Sequence, residues 1–363
     1  MKQKLITASL VIFLVLLINL FLNAVIYKRL LPYYWGNDEI SDKRQYLLKN
    51  KDAYNTIFIG SSKTRYQIIP DLFDERAKED NIGTRSYNFG VQGLLPLESL
   101  HIYENLLLQD SLHLKYAFIE LDWIGTVNLA NLNVARTFYW LNSTNYLRSV
   151  GSIVNSSMPP LRRAWGIFHF STDYTENVMN VGKVQEYIKF REHLDKQTYS
   201  KTDSNVVYDG FIPLKTNTRK AASSLYKEVF SSAKMGVENF NTLKNKRVSD
   251  PFLKRLREII ALSRQKGVTP YFVVPLQWKY YQYKELIPVI NAIEGEGAKV
   301  ISLYDIEKYK DVYKREHFAD PNHLNAAGAG LYTEELFRSF KSQNSHPDLR
   351  DSQAEVSKTK RDF

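Results

Sequence analysis

The start of the chain is hydrophobic throughout, and no charged side chain occurs between Leu5 and Tyr27. A helix of this length extends for roughly 35 Å, enough to cross a hydrocarbon core of about 30 Å with some tilt. A removed secretory signal has a shorter apolar region and a small-residue cleavage site, which residues 21–25 match poorly. The pattern therefore favours an uncleaved, single-pass transmembrane anchor over residues 1–29, with a removed signal as the alternative. Basic residues flank the apolar run on both sides, so the positive-inside rule does not choose an orientation.

Short apolar runs alternate with segments of helical spacing beyond residues 30–50, which we interpret as a juxtamembrane linker or short helix. Strands are predicted for five of these runs, at 54–60, 85–89, 116–121, 269–275 and 299–303. Helices are predicted at 71–80, 96–109, 251–266, 280–293 and 326–340. Strands that are separated by helices of this length pair in parallel through right-handed crossovers. The pattern therefore predicts an α/β fold with three layers around one parallel sheet.

The alternation lapses between Trp123 and about Asp250, where Asn, Ser, Thr, Tyr and Lys are frequent. The simplest arrangement is one α/β domain at 51–342, interrupted by an insertion of roughly 130 residues at about 123–250. The insertion leaves the carboxyl end of the third strand, and ligands bind outside the carboxyl ends of the strands in such sheets. We therefore expect a lid or a substrate-recognition subdomain, with a structural extension or a docking surface as alternatives. The polar tail at 343–363 is expected to be disordered.

Charge and cysteine content limit the classes of partner and chemistry. The formal net charge is +10, and the chain contains no cysteine. A basic surface attracts nucleic acid, anionic lipid headgroups or anionic polymers. Nucleic acid is disfavoured because the sequence has no recognition-helix pattern, zinc spacing or RNA-binding signature. The lack of cysteine excludes disulfides and thiol catalysis, and no metal cluster, phosphate loop or dinucleotide motif occurs, so we expect no cofactor.

A candidate nucleophile follows the first predicted strand, where Gly60-Ser61-Ser62 begins the turn into a helix. A serine at this place lies at the carboxyl edge of the sheet, and the amides of the following helix point towards an oxyanion that forms there. Gly-Ser-Ser is also ordinary turn chemistry, so the tripeptide alone is a weak signal. The second glycine of the G-x-S-x-G motif is absent, which disfavours the α/β-hydrolase fold.

Asp320 and His323 lie in a loop directly before the last predicted helix. An imidazole needs an acceptor on one nitrogen so that its other nitrogen can activate a hydroxyl. An Asp three residues before a His can supply this acceptor locally, and Pro321 restricts the turn between them. A D-x-x-H pattern is common by chance. Its position before the last helix, with Ser62 after the first strand, nevertheless predicts a serine-nucleophile site.

Together these segments resemble the SGNH (GDSL-type) hydrolase superfamily. The first strand and its serine are similar to the first block of that family, and the resemblance makes Ser62 the nucleophile. The last block, D-x-x-H, is matched by Asp320 and His323. The resemblance covers about 54–121 and 251–340. It implies a flavodoxin-like, three-layer parallel sheet, with the anchor in front of it and the insertion within it.

The resemblance also implies an oxyanion hole. Residues 87–93, YNFGVQG, are similar to the second block, which supplies a glycine amide to the oxyanion. The expected donors are the amides of Ser62 and Gly93, with Gly90 as the alternative to Gly93. The preference for Gly93 over Gly90 comes from the resemblance and not from the spacing of the two glycines.

The third block of the family is where this chain departs from it. That block carries Gly-x-Asn-Asp after the third strand, and its Asn donates to the oxyanion. This chain reads ELDWIG at 120–125, with Ile124 where the Asn would stand. Loss of one oxyanion donor costs about 100–1000-fold in rate. Either Asn128 or a backbone amide of the insertion substitutes, or the activity is slow or lost.

The anchor, the Gly-Ser-Ser start and the missing Asn resemble one branch of the superfamily. It contains membrane-anchored proteins such as the D-alanine transfer protein of teichoic acid synthesis and the alginate O-acetylation proteins. Those proteins move acyl groups onto cell-envelope polymers, often beside a multi-spanning acyltransferase. The resemblance implies an extracytoplasmic serine esterase or O-acyltransferase, whose partners are the membrane, an envelope polysaccharide or anionic polymer, and such an acyltransferase. The alternatives are a catalytically weak or inactive polymer-binding scaffold and a cytoplasm-facing lipid esterase.

Five residues near the strand ends are candidates for contact with a substrate. Lys63 and Arg65 follow the nucleophile and could bind a carboxylate or phosphate, although solvated helix charges are commoner. Trp123 and Trp278 follow the third and fourth strands, where a sugar could stack, and packing is the alternative. Asp122 could accept a hydrogen bond from a substrate or act as a turn residue.

Overall fold

Five short strands, almost entirely buried, form one parallel sheet. They are β1 Thr56–Gly60, β2 Ser86–Gly90, β3 Tyr116–Glu120, β4 Thr269–Val274 and β5 Lys299–Ser302. Their order across the sheet is β2-β1-β3-β4-β5, and every neighbouring pair is parallel. The α/β class and the parallel sheet expected from the sequence are confirmed.

The computed structural model describes residues 2–22, 38–107, 112–122, 124, 132, 136–156, 158–179, 209–215, 224–246 and 250–345. The helices before β3 are α1 Lys2–Phe21, α2 Asp38–Lys49, α3 Ser62–Gln67, α4 Pro70–Glu79 and α5 Pro96–Leu107. Those between β3 and β4 are α6 Thr137–Trp140, α7 Ser143–Asn155, α8 Pro160–Met179, α9 Ser224–Glu238, α10 Phe240–Leu243 and α11 Asp250–Gln265. After β4 come α12 Tyr280–Gly295, a 3₁₀ turn Arg315–His317, the antiparallel hairpin of β6 Phe318–Asp320 and β7 His323–Leu324, and α13 Ala326–Ser345.

The strand order places helices on both faces of the sheet. From β1 the chain moves outward to β2, crosses back over β1 to β3, and then continues to β4 and β5. Right-handed crossovers therefore put α3 and α4 on one face and α5, α11 and α12 on the other. The contacts agree, because α13 packs on α3 and α4, whereas α11 packs on α5 and α12. The direction of winding reverses at β1, and doubly wound sheets bind ligands in the crevice at such a point.

An aromatic cluster fixes the last helix against this sheet. Phe118 of β3 stacks on Tyr271 of β4 at 5.1 Å between ring centroids. Phe340 of α13 packs against both rings, at 5.4 and 5.1 Å, and Phe73 of α4 lies 5.4 Å from Phe340. Because α13 begins directly after β7, this packing also fixes the position of the hairpin.

The segment between β3 and α11 contains the predicted insertion, and its described residues include helices α6 to α10 and no strand. Helices α6 to α8 enclose a small apolar cluster of their own around Trp140 and Phe170. Helix α7 docks on α11, where Arg148 forms an ion pair with Glu258. Helix α9 packs on α12. The insertion is therefore attached to the α5–α11–α12 face rather than separate from the sheet domain.

Helix α2 falls in the segment that the sequence marked as a linker or short helix, and it packs into the domain. Leu47 and Lys43 are fully buried. The Lys43 ammonium donates to the carbonyl oxygens of Asn88 at 3.1 Å, Gly90 at 2.7 Å and Gly210 at 2.9 Å. Burial lowers the pKa of Lys43 to about 8. Lys43 thus joins α2, the end of β2 and the segment 209–215.

Helix α1 is the apolar helix expected at the start of the chain. Its span Gln3–Phe21 has a mean hydropathy of 2.4 and is 0% buried. It is long and apolar enough to cross a membrane or to act as a signal sequence. The remainder of the predicted anchor lies outside the described residues, as does the predicted tail beyond Ser345. Residues 343–345, predicted to belong to a disordered tail, are instead the helical end of α13.

Candidate active site

The turn from β1 into α3 is packed so closely that its first residue has to be glycine. A Cβ on Gly60 would lie 2.5 Å from Cβ of Glu120 and would collide with the hydroxyl of Thr64. Ser61 follows as the N-cap of α3, and Ser62 is the first residue of that helix. The serine is therefore presented at the carboxyl edge of the sheet, as expected from the sequence.

Glu120, at the end of β3, holds this turn against the sheet. One carboxylate oxygen accepts the Ser61 hydroxyl at 2.5 Å. The other accepts the Thr64 amide at 2.9 Å, the Thr64 hydroxyl at 2.5 Å and the Ser61 amide at 3.2 Å. An acidic group here satisfies helix amides that lack an intrahelical acceptor and is favoured by the helix dipole. Since Ser61 is engaged with Glu120, Ser62 is the serine of the pair that faces His323.

Asp320 and His323 lie on the β6–β7 hairpin, where the sequence indicated only a loop. One oxygen of Asp320 accepts the amides of Asn322 at 2.8 Å and His323 at 3.1 Å, which closes an Asx turn. On the other side, the Asn325 side chain accepts the Gly328 amide at 3.0 Å and caps α13. The hairpin is thus held by its own turn and by the packed helix that follows it.

Ser62, His323 and Asp320 form one hydrogen-bonded chain. Nε2 of His323 lies 2.8 Å from Oγ of Ser62, although the two residues are 261 positions apart in sequence. Nδ1 of His323 lies 3.0 and 2.9 Å from the two carboxylate oxygens of Asp320. With its proton on Nδ1, the imidazole donates to Asp320 and accepts from the Ser62 hydroxyl. The side chains of His323 and Asp320 are 18% and 28% exposed, so the site opens to solvent.

Asp320 has the ionisation state that this arrangement requires. Burial pulls the pKa of Asp320 upward, but the hydrogen bond and charge of His323 and two backbone amides outweigh it, and the pKa falls below its ordinary value. The carboxylate therefore stays charged at neutral pH and stabilises an imidazolium. Tyr66 packs edge-on against His323, with ring centroids 5.4 Å apart. Burial raises the pKa of Tyr66, so its phenol is neutral beside the imidazole.

The predicted oxyanion donors lie on the loops that leave β1 and β2. The register pairs Gly60 with Gly90, so the two loops leave the sheet side by side. Gly93 has φ +71°, a conformation that favours glycine. The amide of Gly90 donates to the Asn88 side chain at 2.8 Å, whereas the amide of Ser62 opens α3 and has no intrahelical acceptor. The amide of Gly90 is thus engaged within its own loop, and Ser62 with Gly93 stays the predicted pair of donors.

Arg136, from the insertion, holds the Gly93 loop, and no motif in the sequence pointed to it. Its guanidinium donates to the carbonyl oxygens of Gly93 at 2.7 Å and Gln92 at 3.2 Å. Its Nε lies 3.4 Å from a carboxylate oxygen of Glu98, whose side chain is fully buried. Burial raises the pKa of Glu98 to about 7, against the opposing charge of Arg136. The conformation of the loop that carries Gly93 therefore depends on a residue of the insertion.

The charged residues beside the nucleophile are not placed as expected for substrate contacts. Lys63 is 2% exposed, and its ammonium pairs with Asp122 at 2.9 Å and donates to the carbonyl oxygen of Leu276. Neither the Lys63 nor the Asp122 charge is presented to solvent, so a substrate contact is not supported for either. Arg65 pairs with Glu39 of α2 at 2.9 Å, with 17% of its side chain exposed. Its role is thus a bridge from α3 to α2 rather than a solvated helix charge.

The two tryptophan candidates and the position of the missing Asn differ in how far the structure describes them. Trp278 is half-buried and packs against the main core. Trp123 and Asn128 lie outside the described residues. Ile124 is 3% exposed and apolar, so its side chain offers no donor in place of the family's Asn.

Comparison with known proteins adds no further constraint. No protein-family model matches the sequence, and no curated protein matches it. An α/β sheet of this kind supports many unrelated activities, so fold alone does not assign one. The functional interpretation therefore rests on the geometry of Ser62, His323 and Asp320.

Proposed function

We propose that the protein is an extracytoplasmic serine esterase or O-acyltransferase of the SGNH type, held at the membrane by α1. Its proposed substrates are acyl esters of a cell-envelope glycan or polymer. The observation that carries the proposal is the hydrogen-bonded chain from Ser62 through His323 to Asp320. The order of the elements supports the SGNH type, with the serine after the first strand and D-x-x-H before the last helix.

The first half of the reaction transfers the acyl group to the protein. Ser62 Oγ attacks the acyl carbonyl carbon while Nε2 of His323 takes the hydroxyl proton. The carbonyl electron pair moves onto oxygen, where the amides of Ser62 and Gly93 stabilise the negative charge. The intermediate then expels the alcohol, which takes the proton from His323, and an acyl-serine remains.

The second half releases the acyl group. Water or a glycan hydroxyl gives its proton to His323 and attacks the acyl-serine, and the same donors stabilise the second oxyanion. Collapse of this intermediate returns the proton to Ser62. Water yields a carboxylic acid and makes the protein an esterase, whereas a glycan hydroxyl yields a new ester and makes it a transferase.

The charge and the anchor support the proposed setting. A net charge of +10 favours an anionic envelope polymer as substrate or neighbour. A multi-spanning acyltransferase is the proposed source of acyl groups in a transfer reaction. A C-terminal reporter that is active only outside the cytoplasm tests the orientation, and a signal from the cytoplasmic side would favour a lipid esterase instead.

Labelling by a fluorophosphonate probe tests the nucleophile directly. The full chain in detergent is incubated with the probe, which reacts with activated serine hydroxyls. Ser62→Ala should abolish labelling because it removes the only hydroxyl bonded to His323 among the described residues. Ser345→Ala is the matched control, since the same change at an exposed helix end should leave labelling unchanged. Undiminished labelling of Ser62→Ala would exclude Ser62 as the nucleophile.

The second candidate function is a polymer-binding scaffold of an envelope acylation complex. The buried Ile124 at the place of the family's Asn is the observation that favours it. A scaffold would bind an anionic envelope polymer but would take up no probe, even at high concentration. Probe labelling that requires Ser62 excludes this alternative.

A further inference from the structure

A stripe of large apolar side chains is exposed along the first turns of α8. Leu161, Trp165 and Phe168 are 84%, 56% and 59% exposed. Their spacing of four and then three residues puts them on one face of the helix. Apolar side chains scattered singly over a surface are ordinary, but three adjacent ones of this size mark an interaction site.

The opposite face of α8 is already used inside the protein. Gly166, Phe170 and Asp173 are buried there, and Phe170 belongs to the apolar cluster of the insertion. The exposed stripe is therefore not the core-facing side of the helix. It is a second apolar face, which nothing covers among the described residues.

The apolar surface continues from α8 onto α7. Val154, near the end of α7, is 48% exposed, and Leu147 two turns earlier is 66% exposed. Pro159, at the end of the connection between the two helices, and Pro160, the first residue of α8, are both exposed. The hairpin of α7 and α8 thus has an apolar tip as well as an apolar flank.

The surroundings of the stripe point to a lipid surface as its occupant. Arg162 is exposed in the first turn of α8, next to Leu161, where it suits anionic headgroups. Arg163 is half-buried and donates to the carbonyl oxygen of Val154 at 2.9 Å, which joins α8 to the end of α7. Trp165 supplies the aromatic ring that is enriched at the boundary between headgroups and acyl chains. Helix α8 is also in contact with α1, the apolar helix proposed to cross the membrane.

We propose that the α7–α8 hairpin docks on the membrane that holds α1, with Leu161, Trp165 and Phe168 inserted at the headgroup–acyl boundary. The inference rests on the proposed anchoring by α1. Thr172 continues the same face one turn after Phe168 and is exposed and polar. The face therefore changes from apolar to polar along the helix, which limits insertion to the beginning of α8.

The docking gives the insertion a role in the proposed reaction. Arg136, which holds the Gly93 loop, belongs to the same insertion and directly precedes α6, which packs on α8. A hairpin fixed on the bilayer thus holds the oxyanion loop at a set height above the membrane. The substrate class that suits this arrangement is an acyl ester carried close to the bilayer surface.

Depth-dependent fluorescence quenching tests the docking on the full chain. Because the chain has no cysteine, Trp165→Cys and Phe168→Cys each accept one bimane label. The labelled chain is reconstituted in nanodiscs of anionic lipid that carry a nitroxide near the top of the acyl chain. Lys78→Cys is the control, because it is exposed on α4 on the other face of the sheet. Labelled variants are used only when their melting temperatures match that of the unlabelled chain.

We expect quenching of about two-fold or more at positions 165 and 168, with little at position 78, since an interfacial helix lies about 5–10 Å deep in the boundary. A probe introduced by Thr172→Cys should be quenched less than one at position 168. Equal, weak quenching at positions 165, 168 and 78 would overturn the docking on lipid. The apolar stripe would then be a binding surface for a protein partner. Failure of the chain to float with lipid vesicles would instead overturn the anchoring and the docking together. Neither outcome alters probe labelling of Ser62, so the proposed chemistry is judged separately.

Discussion

At the scale of single residues, the charged carboxylate of Asp320 lies 2.9 Å from Nδ1 of His323 and, in the proposed reaction, orients and supports the imidazole. We expect Asp320→Asn to lower the rate of fluorophosphonate labelling by about 10,000-fold, because an amide favours the wrong tautomer of the imidazole. The rate is measured from the time course of labelling of the purified chain. The hydroxyl of Ser62 remains in place in this variant, so the loss reports on the base rather than on the nucleophile.

Asp305→Asn is the matched control for this prediction. Asp305 also accepts two backbone amides, those of Glu307 and Lys308, at 3.0 Å each. It lies in a different loop and has no described contact with His323. Equal labelling rates for the Asp320 and Asp305 variants would show that Asp320 acts only on the turn.

We expect Glu98 to make the stability of the protein depend on pH near neutrality. Burial raises the pKa of Glu98 to about 7 in the folded chain. The folded state thus binds this proton more tightly than the unfolded state, so the contribution to stability is present below the ordinary pKa and is lost as pH rises through about 7. A shift of this size corresponds to about 3 kcal/mol.

We expect Glu98→Gln to flatten the fall in melting temperature between about pH 5 and pH 8, since the neutral amide has no proton to lose. Thermal unfolding of the two chains in matched buffers measures the slope. Glu75→Gln, on the exposed side of α4, should leave the slope of the wild type unchanged. A Glu98→Gln chain with the wild-type slope would show that other groups cause the pH dependence.

Candidate site residues could be predicted from the sequence where they belong to a short local motif. Ser62, Asp320 and His323 were identified because a strand-end serine and a D-x-x-H turn each have a recognisable local form. For Lys63 the sequence suggests either a substrate contact or a solvated helix charge, and neither describes the buried ion pair. Its partner Asp122 lies 59 positions away and is brought close only by the pairing of β1 with β3. Arg136 had no motif at all, since its role depends on tertiary contacts with another loop.

At the scale of elements, one side chain of β3 stabilises the first turn of α3. We expect Glu120→Ala to lower the free energy of unfolding by about 3 kcal/mol, because it leaves the hydroxyls and amides of Ser61 and Thr64 buried without their acceptor. Glu120→Gln should lower the free energy of unfolding by less, because its amide oxygen still accepts hydrogen bonds. Denaturant unfolding of both variants measures the difference.

Fluorophosphonate labelling of the Glu120 variants tests whether the Glu120 carboxylate helps to position Ser62. Ser62 follows the N-cap, so a loosened turn should also slow fluorophosphonate labelling. Glu307→Ala, at an exposed position, is the control for loss of a carboxylate. A Glu120→Ala chain as stable as the control would contradict the assigned role.

The central elements could be predicted because the buried parallel strands are short apolar runs, whereas the helices carry apolar residues at helical spacing. The predicted strands 54–60 and 269–275 correspond to β1 and β4, and the predicted helix 326–340 to α13. The β6–β7 hairpin was not predicted, because two residues of β7 are too few to show alternation. No helix of the insertion was predicted, although α7, α8 and α9 are amphipathic, because the frequent Asn, Ser, Thr, Tyr and Lys of this segment obscure the helical period.

At the scale of the whole molecule, Lys43 joins α2 to the end of β2 and to the segment 209–215. We expect Lys43→Met to lower the free energy of unfolding by about 3 kcal/mol, because three carbonyl oxygens lose a charged donor in a buried place. Lys49→Met changes an exposed lysine of the same helix and should have little effect. Denaturant unfolding measures both, and equal stability of the two variants would contradict this role of Lys43.

The distance in sequence between Ser62 and His323 has a consequence for the timing of activity during biosynthesis. The hydroxyl is made early, whereas the imidazole is added 261 residues later and takes its place only when α13 docks on α3 and α4. Contacts so far apart form late, after the intervening chain has been ordered. Under the proposed chemistry, a chain that is still being synthesised therefore carries an unactivated Ser62 hydroxyl, and this hydroxyl becomes reactive only once α13 has docked.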